Sequence, residues 1–438
     1  MAVCFAAALS VKAQTTDLFT PYKATNLRVP SVPIVVNDPY FSIWSPYDEL
    51  QAGTTRHWTN AEMPLTGLLR VDGVPYRFMG GEKEYILETI VPMADAGAWQ
   101  AEMTRRNPGA GWEKPDFDAA GWRRAEGAFG SPDEYPSVRT RWNDTNSDIY
   151  VRRTIEISAE DVASDLYLVY SHDDIFELYI NGEKVVDTGH SWKTGVVKRL
   201  DDSQKALLKP GKNVIAAHCH NTSGGAYLDF GLFKNVKKPS IEVKLAKQKS
   251  VDVLATNTYY TFECGPVELD VVFTAPMLID NLDLLSTPIN YISYQVRSTD
   301  KKAHDVQFYL GASPEIAVNQ ASQPTVTTLV NKEGVTYAKT GTVDQPILAK
   351  KGDGICIDWG YLYLPAINGS VSIADEETML NTFSSTGKLA ATQQKVVSRQ
   401  ASDMPALAYV HDFGTTQQAA SYALIGYDEV LDIQNLHL

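Results

Sequence analysis

Residues 217–225 read AHCHNTSGG, two histidines flanking a cysteine with a glycine pair behind them. Two imidazoles two positions apart can chelate a transition metal. A thiol between them can be a ligand or a nucleophile. Alternate side chains of a strand point to opposite faces. His218 and His220 then share a face with Val214 and Ala216, and Cys219 shares the other with Ile215 and Ala217. That parity predicts a packed, inert thiol. Three readings of the histidines stay open. They are hydrogen-bonded at a sheet edge, they line a polar or sugar pocket with Asp173, Asp174, Glu177 and Asp229, or they hold a metal. Spacing identifies no third metal ligand. Trp142 and Trp192 could stack a sugar ring, or be core.

No catalytic constellation accompanies them. There is no GxSxG elbow, no HExxH and no P-loop. Asp and Glu total 53, so a glycosidase-type carboxylate pair stays open on composition. Asp38, Glu62 and Asp358 lie in aromatic-rich loops and read equally as loop caps. No residue is assigned as catalytic. Of the four cysteines, Cys4 sits in the N-terminal run, leaving Cys219, Cys264 and Cys356 with no CxxC spacing. Unpaired buried thiols are expected, and a Cys264–Cys356 bridge stays open. No cofactor is expected from these motifs.

The elements that must position these groups are strands. LLRVDGVPYRF (68–78) alternates around Asp72-Gly73, and FELYINGEKVV (176–186) around Asn181-Gly182, both hairpin patterns. Further β-branched or aromatic runs include IYVRRTIEI, NVIAAHC, VELDVVFTA, INYISYQVRS and DVQFYLGA. The helical candidates are short: SAEDVAS (158–164) and DEETMLNTFSS (375–385). The expectation is an all-β chain built from sandwiches. Glycine-rich text near 94–111 and the charged KNVKKPS (234–240) mark two boundaries, so residues 98–237 read as a domain inserted into another. The flanking runs EYILETIVPM and SIEVKLAKQKSVDV are expected to join as neighbouring strands.

A net charge of −14 argues against a nucleic-acid partner, which needs a basic face. With 44% hydrophobic residues, each unit can bury a core. The start, MAVCFAAALSVKAQTT, fits the end of an export signal over residues 1–13, cut before Gln14, although no basic residue precedes Lys12. A secreted or periplasmic protein is expected. No other run reaches membrane-spanning length.

Two resemblances add to this reading. The ordered set WEKPDFDAAGWRRAEGAFG, IYVRRTIEI, SHDDIFELYINGEKV and LLKPGKNVIAAHCHNTSGGAYLDFGLF resembles the galactose-binding-like jelly roll of glycoside hydrolases, notably the family-two sugar-binding module. It implies a glycan ligand. Related folds often hold calcium, for which Asp173 or Asp174 could supply oxygens. The outer segments resemble the N-terminal half of secreted glutaminase-A-type proteins. They are PSVPIVVNDPYFSIWSPYDEL, TRHWTNAEMPLTGLLRVDGVPYRFMG, residues 258–319 and GDGICIDWGYLYLPA. That implies a β-supersandwich, residues 14–97 and 238–438, interrupted by the jelly roll. In the family a helical (α/α) catalytic domain follows, and the sequence stops near the linker to it. The chain is then expected to be a truncated form, or one component of a split system. Its expected role is to support the absent helical partner and to bind glycan. A free-standing carbohydrate-binding protein, or an accessory part of a glycoside hydrolase, stays open.

Overall fold

The computed structural model describes residues 18–429, apart from 26–28, 84, 136, 238–241, 350–353, 399–400 and 402–404. The expected export signal, Cys4 and residues 430–438 lie outside the described residues. The fold is all-β. Two hairpins form where the sequence places them. Strands Leu65–Val71 and Val74–Met79 meet at Asp72-Gly73, and Leu166–Ile180 and Glu183–Arg199 meet at Asn181-Gly182. All four turn residues have positive φ, between 48° and 97°, the geometry that suits right-twisted strands. Helices occupy both expected places, Ala159–Ala163 and Glu376–Thr386. The second is capped by the Asp375 side chain, which accepts from Thr378 N–H, and ends at left-handed Gly387.

Two sheets form the larger sandwich. The six-stranded sheet runs Lys244–Leu245, Val74–Met79, Leu65–Val71, His304–Ala312, Pro405–Thr416, Ser370–Asp375. The nine-stranded sheet is antiparallel throughout and contains Asn257–Cys264, Val267–Thr274, Ile289–Ser298 and Gln418–Asp428 side by side. Their facing sides bury Phe78 and Phe308 against Phe262 and Tyr294, and the Tyr294 and Phe308 rings stack at 3.7 Å between centroids. Each such side chain contributes about 1.5–3 kcal/mol by leaving water. Tyr294 and Tyr409 hydroxyls bond to each other across the interior at 3.0 Å, which removes the cost of burying either alone. On the outer face of the six-stranded sheet, the Glu376–Thr386 helix packs Met379 and Phe383 on Leu68 and Tyr309.

The third sheet has ten strands, all drawn from residues 87–235. Its core shares no residue with that of the larger sandwich. The long Leu166–Ile180 strand pairs with Tyr227–Asn235 through residues 166–173 and with Gly211–Asn221 through 175–180. The strand thus forks, feeding both layers around one core that contains Phe176, Leu178, Cys219 and Phe230. One strand expectation is corrected. The runs flanking the insertion do not pair with each other. Leu87–Val91 pairs with Tyr227–Asn235, and Lys244–Leu245 pairs with Val74–Met79. The 87–91 strand offers partly buried Ile90 and buried Val91 to the ten-stranded unit's core, which decides its sheet. Among the described residues no helix is long and apolar enough to cross a membrane.

Candidate functional site

Strand register gathers the histidines around one carboxylate. In the pairing of Ser147–Ile157 with Gly211–Asn221, Asp148 lies opposite His220 and Tyr150 opposite His218. Asp148 Oδ1 accepts from His218 Nε2 at 2.8 Å and from His220 Nδ1 at 3.0 Å. Burial opposes the Asp148 charge, but the two imidazole bonds outweigh it and hold the carboxyl below its usual range. The Tyr150 ring stacks on His218 at 4.5 Å. On the other side Glu177 is paired with His218 in register, its Oε2 3.5 Å from His218 Nδ1. Glu177 also accepts from the Tyr179 hydroxyl at 2.8 Å and from Lys184 at 2.5 Å. Both histidines are half-buried and share a face, as parity predicts, and Cys219 is fully buried on the other. Trp112, Phe117 and Trp122 cover this face beside Tyr150 and Tyr179.

A second cluster stands four residues earlier on the same strand as Glu177. Asp173 pairs with Trp192 on one side and Tyr227 on the other. The exposed Trp192 indole donates to the Tyr135 hydroxyl at 2.8 Å, and that hydroxyl donates to Asp173 Oδ2 at 3.4 Å. Tyr135 stacks on Tyr227 at 4.5 Å. Burial, reinforced by the neighbouring Asp174, pushes the Asp173 carboxyl up to about 7. Burial alone would also raise Asp174, but Thr222 donates to its Oδ2 from both backbone N–H and hydroxyl, and the carboxyl is held low. His190 reaches the Thr222 hydroxyl at 3.2 Å. An exposed indole, a tyrosine and a carboxyl that titrates near pH 7 can stack on a sugar ring while donating and accepting hydrogen bonds.

The remaining candidates lie inside the packing or in loops elsewhere. Asp229 is fully buried behind the second cluster, where the Tyr227 hydroxyl donates to its Oδ2 at 3.5 Å, and it accepts from Ala94 N–H at 2.9 Å and Trp99 Nε1 at 3.0 Å. It tacks the 94–99 segment onto the ten-stranded unit. Burial, with Asp95 adding to it, pushes the carboxyl up to about 7. Trp142 is buried and bonded to Ser147, so it offers no face to a ligand. Asp38 caps its own loop through Tyr40 and Phe41 N–H, Glu62 pairs with Arg56, and Asp358 accepts from Gln323. Cys219, Cys264 and Cys356 are buried, and no disulfide joins any two of them. Among the described residues no three His, Cys, Asp or Glu converge as a metal site. Asp148, Tyr135, His190 and Thr222 were not singled out in the sequence. Only the strand register brings Asp148 opposite His220, and only tertiary packing brings Tyr135 to Trp192.

The family matches fall mostly on segments of the larger sandwich. Residues 256–437 match a family described as domain of unknown function DUF5127, and residues 2–92 match domain of unknown function DUF4964. A 178-residue stretch is 26% identical to "Glutaminase A" of Aspergillus oryzae, covering 40% of this chain and 26% of that protein. The matched stretch thus spans about a quarter of the length of that curated relative. Among solved structures, the β-glucuronidase of Ruminococcus gnavus aligns with a TM-score of 0.25 and 11% identity, over 67% of this chain and 47% of that one. The figures are the same for its complex with D-glucaro 1,5-lactone and for its apo form.

Proposed function

We propose that this chain is the β portion of a glutaminase-A-like hydrolase, which carries no catalytic centre of its own and presents a docking face to a helical catalytic domain. The observation that carries the reading is an apolar loop. Met277, Leu278, Ile279, Leu282, Leu284 and Leu285 are all exposed, with Ile279 and Leu282 at 73%. Six large apolar side chains within nine residues exceed the scattered exposure normal for a soluble surface. The loop runs into Pro288 and Ile289, which edge a groove of about 410 Å³ walled by Tyr337, Tyr363 and Tyr427 and reaching Asp428. The partial likeness to Glutaminase A supports the hydrolase class.

Hydrogen exchange tests it, comparing this chain with the native polypeptide of the source cells. The reading predicts a native polypeptide much larger than 48.3 kDa, in which loop 275–288 is protected. A native polypeptide of this chain's own size, or an unprotected loop in a larger one, overturns it. So does ammonia release from glutamine by this chain that a single substitution abolishes.

The same proposal gives the ten-stranded unit a glycan-binding role through Trp192, Tyr135 and Asp173. The exposed indole, held in place by its bond to Tyr135, supports this part. Saturable binding of oligosaccharides that is lost in Trp192→Ala is expected, and equal binding by that variant removes the site.

A further inference from the structure

We infer that the outer face of the six-stranded sheet carries a binding site for a small zwitterion of the α-amino-acid class, centred on Arg77. The inference is independent of the docking and glycan readings. Along strand Val74–Met79, Phe78 points into the sandwich core. Arg77, one residue earlier, therefore projects to the opposite face, beneath helix Glu376–Thr386. It is only 5% exposed. Among the described residues its guanidinium makes no hydrogen bond and no ion pair, and its nitrogens are not sealed in the packing but border the adjoining cavity. A guanidinium has five N–H donors, and burying them without partners is costly. The buried Tyr309 hydroxyl, in the same electrostatic neighbourhood, also has no partner among the described residues.

Arg77 borders a cavity of about 50 Å³, walled by Thr66, Gly81, Glu82, Lys83, Lys237 and Glu376 among others. The wall draws on both connections between the larger sandwich and the ten-stranded unit, through Gly81, Glu82, Lys83 and Ile86 on one and Lys237 on the other. Its charges are already sorted. Lys83 is bonded to Glu315, and Lys237 sits 3.6 Å from Glu82. Glu376 and Glu377 remain on the wall, neither within ion-pair distance of Arg77. The wall thus presents one unpaired guanidinium facing unpaired carboxylates across a gap. A simple anion would satisfy Arg77 but meet Glu376 and Glu377 at close range. A ligand carrying both charges satisfies the two sides together. Its carboxylate takes the two parallel N–H donors of Arg77, the strong geometry for that pair. Its ammonium meets Glu376. The volume suits the shared head of an amino acid, the side chain pointing out of the crevice.

The test is ligand-dependent thermal stability and calorimetry on the full chain, with glycine, glutamine, acetate and methylammonium as probes. Glycine or glutamine should raise the melting temperature saturably below about 20 mM, as ligands that bind only the folded state do. Acetate and methylammonium should not. Arg77→Met should weaken glycine binding by at least about tenfold. Because that variant alters a buried position, Glu376→Gln serves as a second one and should also weaken it. No saturable effect of glycine on the folded protein overturns the inference. So does acetate binding as tightly as glycine, or undiminished glycine binding by Glu376→Gln.

Discussion

Replacing Asp229 with asparagine isolates one buried carboxyl and gives a pH signature with a definite sign. Asp229 is fully buried, and its carboxyl titrates near 7 because burial penalises the charge, with Asp95 adding to the effect and the bonds from Ala94 and Trp99 opposing it. In the unfolded chain it titrates near ~3.9. Between those values the folded state keeps a proton that the unfolded state has released. Stability therefore falls as pH rises through the window from about 4 to about 7. The gap corresponds to about 4 kcal/mol, to order of magnitude, most of it lost by pH 7. The substituted amide cannot ionise. It keeps one oxygen for Ala94 or Trp99 and introduces an N–H₂ group that needs a partner, a cost that does not vary with pH. The difference in stability between Asp229→Asn and the parent chain should therefore move in the variant's favour between about pH 5 and about pH 8, by roughly a few kcal/mol. Urea unfolding followed by tryptophan fluorescence reads it, since Trp99 lies against Asp229. Asp173→Asn should shift in the same direction over the same window, because burial and Asp174 push the Asp173 carboxyl up to about 7 as well. A stability difference that stays constant across that pH range would refute the reasoning and show Asp229 to be ionised inside the fold.

Other outcomes follow from particular contacts. Gly130→Ala should destabilise the ten-stranded unit by several kcal/mol, because its Cβ would stand 2.1 Å from the Ala226 carbonyl oxygen at a φ of 150°; circular-dichroism melting checks it. The three thiols should resist alkylation near pH ~8 in the native protein and react after unfolding, since burial pushes Cys219 and Cys264 well up and all three are buried; mass spectrometry after labelling counts the modified sites. His304 bonds Asp72 at 2.6 Å and Asp300 at 2.9 Å, and these bonds raise its pKa. Its contribution is then complete below about 6.5 and lost as pH rises through the folded value. His304→Gln should flatten that decline, and NMR titration of the imidazole reads it directly. Ile279→Asp with Leu282→Asp should leave melting unchanged while lowering binding of a hydrophobic dye, because neither side chain packs in a core.

The hairpins were legible because a turn is a local event. Asp72-Gly73 and Asn181-Gly182 adopt positive φ at little cost, and the alternation on either side continues the strands. The parity of His218, Cys219 and His220 was legible for the same reason, since side-chain alternation belongs to the strand itself. Other features depend on which strands meet. Asp148 becomes the shared acceptor of two histidines only through the register between residues 147–157 and 211–221. Asp229 looked like a pocket carboxylate beside aromatic residues, and the packing of residues 94–99 put it in the interior. The flanking runs 84–93 and 240–253 were both plausible partners by pattern, and burial of Ile90 and Val91 in the other core chose differently.

The sequence by itself determined the all-β class, two hairpins, two helices and the face each histidine occupies, because those are set within a few residues by dihedral preference and side-chain alternation. Tertiary structure alone decided which carboxylates stand beside the histidines, that Trp192 bonds to Tyr135, and that Arg77 is held at a cavity wall with no hydrogen bond from its guanidinium among the described residues. Those contacts join residues far apart in the chain, and only the registers and packing of whole sheets fix their distance.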